Sequence, residues 1–65
     1  MVPVRLMTTD ALPTRIRDIE CIARPMVGDE IFNDSVFYLV KKVILTDTFA
    51  IAYVEEVRTG RLNDG

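Results

Sequence analysis

The doublet Lys41-Lys42 sits inside an otherwise apolar run, Ser35 to Leu45, that contains neither glycine nor proline. Dense β-branched and aromatic residues of this kind fit a strand. Strict alternation would place a lysine on either face, because Val36, Tyr38, Val40, Lys42 and Ile44 share one side and Phe37, Leu39, Lys41, Val43 and Leu45 the other. One extra residue at the doublet, a β-bulge, puts Val36, Tyr38, Val40, Val43 and Leu45 together and lets both lysines reach water. A bulge or sharp bend near Lys41 is therefore expected.

The neighbouring segments support a meander. Val27-Gly28-Asp29-Glu30-Ile31 reads as a chain reversal feeding a strand, since Gly28 takes positive φ cheaply and Asp29 bonds nearby backbone. Asn33-Asp34 reads as a two-residue hairpin turn between Phe32 and Val36. A second β-rich run covers Phe49 to Val57. With a loop centred near Thr48, Lys41 falls roughly opposite Glu55, a cross-strand pair that helps register more than stability.

Earlier in the chain, Val2, Val4 and Leu6 alternate with Pro3, Arg5 and Met7, which indicates a strand. Pro3 cannot donate a ladder bond and belongs at the strand's start or on a sheet edge. Asp10 to Asp18 reads as a long connecting loop, followed by a short strand with Ile19, Cys21 and Ala23 facing in and Arg24-Pro25 as its stop. The alternative is a short helix capped by Thr14 and carrying Ile16, Ile19 and Ile22. Residues 1–60 then form a single small domain, and 61–65 a frayed tail.

These elements predict an all-β fold, a small antiparallel barrel of four to five strands with a long N-terminal loop. The run from Arg24 to Ile31, with Phe37 to Ile44 and Ala52 to Val57, resembles the small SH3-like barrel proteins of bacteria and their mobile elements, many without an assigned function. The resemblance implies a fold more than a function. The aromatic peptide groove of eukaryotic SH3 domains has no counterpart here, as tryptophan is lacking.

Sixty-five residues bury only about 60% of their unfolded surface, which leaves no room for a large active-site cavity. The single Cys21 cannot form an intrachain disulfide and reads as a core residue in a reducing compartment, so a cytoplasmic location is expected. The absence of histidine removes the commonest general base and most transition-metal sites. Glycines stand far apart, so no phosphate loop exists. The adjacent carboxylates Asp29/Glu30 and Glu55/Glu56 point to opposite strand faces. Asp29, Asp34 and Asp47 lack the spacing of a calcium loop. No catalytic, metal or cofactor site is expected, and the chain reads as non-enzymatic.

Two binding readings follow. Once Val36, Tyr38 and Val40 face inward, Phe37, Leu39 and Ile44 face outward as an apolar strip suited to a protein partner or a second copy, with a homodimer as the expected state. The alternative is an accessory nucleic-acid-binding barrel using Arg15, Arg17, Arg24, Lys41 and Lys42, with Phe37, Phe49 and Tyr53 for stacking. Ten acidic residues against eight basic ones, a net charge of −2, weigh against it. A phage or mobile-element inhibitor of a host protein is a third reading.

Overall fold

A computed structural model describes residues 1–59 of the chain, in which β1 (Val2–Met7), β2 (Arg15–Cys21), β3 (Glu30–Asn33), β4 (Val36–Leu45) and β5 (Ala50–Thr59) form one sheet. The expected tail, residues 61–65, lies outside the described residues. The fold is all-β, and its strand order is β2-β1-β5-β4-β3. The sheet curls into a half-barrel whose edges, β2 and β3, are not hydrogen-bonded to each other.

The expectation of an all-antiparallel sheet fails at one seam. β1 and β5 run parallel, with Val4 opposite Ala50 and Leu6 opposite Ala52. The sheet is thus an antiparallel hairpin, β1–β2, joined to an antiparallel meander, β3–β4–β5. Small residues on β5 face large ones on β1, and all four of these side chains are buried. Pro3, the second residue of β1, stands opposite Glu20 of β2 and precedes the pairing with β5, which begins at Val4.

The bulge at the lysine doublet is present. The β4–β5 register shifts between Val40 and Lys42, and beyond it Val43 faces Ala52 and Leu45 faces Ala50. Tyr38 and Val40 are buried, and Val36 and Val43 pack against the same core. Lys41 and Lys42 are both exposed. Lys41 meets Glu55 at 3.8 Å, although the ladder partner of Glu55 is Leu39. A second shift, between Phe37 and Tyr38, accommodates Val57 as an extra residue of β5 and turns Arg58 toward Phe37.

The hairpin lies one residue later than the sequence suggests. Asn33 pairs with Val36, and the turn residues are Asp34 and Ser35, at φ 53° and 64°. Two successive left-handed residues define a type I′ turn, which suits the twist of a hairpin. Gly28 has φ 97° as expected, and the Asp29 N–H donates to the Met26 carbonyl at 2.9 Å. The turn is docked on β4 by reciprocal bonds, Gly28 N–H to Val40 O and Val40 N–H to Asp29 O, each 2.9 Å.

The long loop is shorter than expected, and the helix does not form. β2 begins at Arg15, and Ala23 lies exposed beyond its end. A register shift opposite Leu6/Met7 places an extra residue at Ile16. Ile16 and Ile19 therefore both reach the core at a three-residue spacing that a regular strand forbids. Cys21, partly buried, packs there too. Burial pushes its thiol pKa up, and the Glu20 charge adds to this.

Candidate interaction surface

Every element-to-element contact of the described chain is between sheet neighbours. The concave side holds the core, Val4, Leu6, Tyr38, Val40, Ala50, Ala52 and Val54. The convex side has no strand laid over it, and the β1–β2 loop only borders it, with Thr9, Asp10 and Pro13 beside Lys41, Lys42 and Tyr53.

The register builds this convex face row by row. Phe32 pairs with Phe37, which pairs with Arg58. The two rings lie 4.6 Å apart, and the Arg58 guanidinium stacks 4.1 Å from the Phe37 ring centre while holding Glu30 at 3.2 Å. In the next row Glu30 faces Leu39, which faces Glu55. Farther along, Lys42 faces Tyr53 and Ile44 faces Ile51, whose other neighbour is Arg5. Phe37, Leu39 and Ile44 are thus brought to one face, as expected, and each is partly or largely accessible. Phe32, Ile51 and Tyr53 extend the same strip. Phe32, 58% exposed, escapes notice in the sequence because its partnership with Phe37 depends on the hairpin register.

Charges of both signs rim the strip. Arg5 bonds Asp18 at 2.9 Å and stacks over Phe49 at 4.9 Å. The hydrogen bond from Arg5 is the main cause that holds the Asp18 carboxyl below its usual value, and the charges of Arg5 and Arg15 add to it. An open groove of about 480 Å³ runs beside this pair, between Pro3, Glu20 and Phe49.

The basic residues are not brought together. Arg15 lies on β2 beside Asp18 at 3.6 Å, and Arg17 reaches Asp34 at 3.0 Å. Lys41 and Lys42 sit on β4, separated from β2 by both β1 and β5. Lys42 rests over Tyr53. Arg24 lies at the opposite end of the sheet, beside Leu45. Of the stacking candidates, Phe37 and Phe49 lie under guanidinium groups and Tyr53 under an ammonium.

Among the described residues no cluster of three His, Cys, Asp or Glu side chains is placed to hold a metal ion. Asp29 accepts from the Met26 N–H at 2.8 Å, and Asp34 is engaged by Arg17. No helix among the described residues is long and apolar enough to cross a membrane. No family model, curated protein or solved structure matches the chain.

Proposed function

We propose that the chain is a non-enzymatic protein-interaction module, operating in the cytoplasm, that pairs with a second copy of itself through the convex face. The observation that carries this reading is the half-exposed apolar strip from Phe32 through Phe37 and Leu39 to Ile44 and Ile51, over which no strand is laid and of which Arg58 covers only the Phe37 ring. A contiguous apolar patch on a small domain marks an association surface. Its rim carries both signs, with Arg58 beside Glu30 and Lys41 beside Glu55, so two copies related by a two-fold axis can set positive groups against negative ones. The resemblance to small SH3-like barrels supports the same reading through size and sheet curl, whereas the parallel β1–β5 seam departs from it.

The test is the solution mass of the wild type, of Ile44→Lys and of Phe37→Ser. Ile44 is 38% exposed, so its replacement leaves circular dichroism unchanged while dimerisation is lost. A wild type that stays monomeric at all concentrations rejects the reading, as does unfolding of Ile44→Lys, which would make the strip part of the core.

A further inference from the structure

The two ends of the half-barrel differ in a way that fits one to the other. At one end, the chain leaving β2 crosses toward β3 and forms an open groove of about 770 Å³ with the end of β4. Pro25, Val43 and Leu45 line it, with Met26 and Val27 at its lip, 69% and 67% exposed. Arg24 is the charged residue of that lining. Among the described residues it is the one cationic side chain with neither a carboxylate within 4.0 Å nor an aromatic ring beneath it.

At the other end, the loop between β1 and β2 presents Asp10-Ala11-Leu12-Pro13. Its neck is pinned by two 2.9 Å bonds, Thr8 N–H to Thr14 O and Thr14 N–H to Thr8 Oγ1. Leu12 at the tip is 85% exposed, and Asp10, two residues before it, has no ion-pair partner among the described residues. A fixed aliphatic tip beside an unpaired carboxylate thus faces away from an aliphatic groove beside an unpaired guanidinium.

We infer that the chain also associates head to tail, Leu12 of one copy entering the Val27/Leu45 groove of the next while Asp10 meets Arg24. The contact is heterologous, so each copy keeps one free tip and one free groove, and growth continues past the dimer. A single loop tip buries less than the ~1,200 Å² of a stable specific interface, so the association is weak and is seen at high protein concentration. A negatively charged membrane is a poorer occupant for this groove because the chain carries a net charge of −2. This contact is separate from the convex face, and the two are tested apart.

The experiment is sedimentation velocity of the Ile44→Lys variant over a wide concentration range, which silences the convex strip. Mass that climbs beyond the dimer supports the inference, and a constant monomer overturns it, whatever the wild type does. In the same background Leu12→Ser and Val27→Glu each stop growth alone. Mixed in equal amounts they form a one-to-one pair that grows no further, since one supplies the groove and the other the tip. Growth that persists in Leu12→Ser, or a mixture that stays monomeric, overturns the inference. Arg24→Glu weakens growth by roughly two- to fivefold, as an exposed ion pair should, and adding Asp10→Lys to it restores growth; failure of that restoration removes the ion pair from the contact.

Discussion

Arg17 on β2 and Asp34 in the β3–β4 turn meet through a 3.0 Å ion pair across the open side of the half-barrel. They link the two edge strands, which share no backbone hydrogen bond. Both side chains are largely exposed, at 43% and 66%, so a double-mutant cycle with Arg17→Ala and Asp34→Ala should give a coupling of about 0.2–1 kcal/mol. Urea melts supply the value, and salt should diminish it. A coupling near zero at low salt would mean that the opening is held by the core alone.

Deleting Lys41 should cost far more than replacing it. Removal of the extra residue turns half of β4 over, exposing either Val43 or Tyr38 and Val40. For a domain whose core supplies roughly 3–5 kcal/mol, that loss unfolds the chain. Lys41→Thr keeps the count of residues and should change stability by less than about 1 kcal/mol. Thermal melts of the two variants give the comparison, and a folded deletion variant would show that the bulge is not required.

Ser35 sits at φ 64°, a conformation that penalises any residue with a Cβ. Ser35→Gly should therefore stabilise the hairpin by about 0.5–1 kcal/mol, the gain being reduced by the greater freedom of glycine in the unfolded chain. Asp34 is left in place in this test because Arg17 uses it. Loss of stability on the change to glycine would show that the Ser35 side chain makes a contribution beyond its backbone.

Asp18 titrates below the ordinary carboxylate range when folded, chiefly because Arg5 donates to it. A folded-state value below the unfolded one gives stability that is fully present above the unfolded value and is lost as pH falls through the folded one. Asp18→Asn should accordingly flatten the acid side of the stability profile and leave its alkaline side unchanged. Stability measured by denaturant from pH 2 to 7, in both proteins, checks the sign.

What the sequence reveals here is local chemistry. The lysine doublet locates the bulge because a charged residue among core positions admits few remedies, and Gly28 marks its own turn. The outward placement of Phe37, Leu39 and Ile44 follows from that bulge without further information. The β1–β5 pairing has no such local mark, since Val4 and Leu6 alternate identically beside a parallel or an antiparallel neighbour. Ile16 and Ile19 mimic a helical spacing because the bulge at Ile16 lengthens the strand period to three, whereas Ile22 lies beyond the end of β2 and is exposed. The turn is displaced from Asn33-Asp34 to Asp34-Ser35 because the register that pairs Asn33 with Val36 outweighs the intrinsic left-handed preference of asparagine. The docking groove is equally silent in the sequence, as Arg24 and Leu45 become neighbours only when the sheet curls.

The parallel seam makes the sheet a joint between two separately built pieces. The hairpin and the meander are each local antiparallel units, and the covalent link between them, Ile22 to Asp29, is mostly exposed. A chain cut in that link would retain every strand and every core residue, divided between two fragments. Val4 and Leu6 on one fragment and Ala50 and Ala52 on the other would be the faces by which they find each other, which makes this small domain a natural split protein.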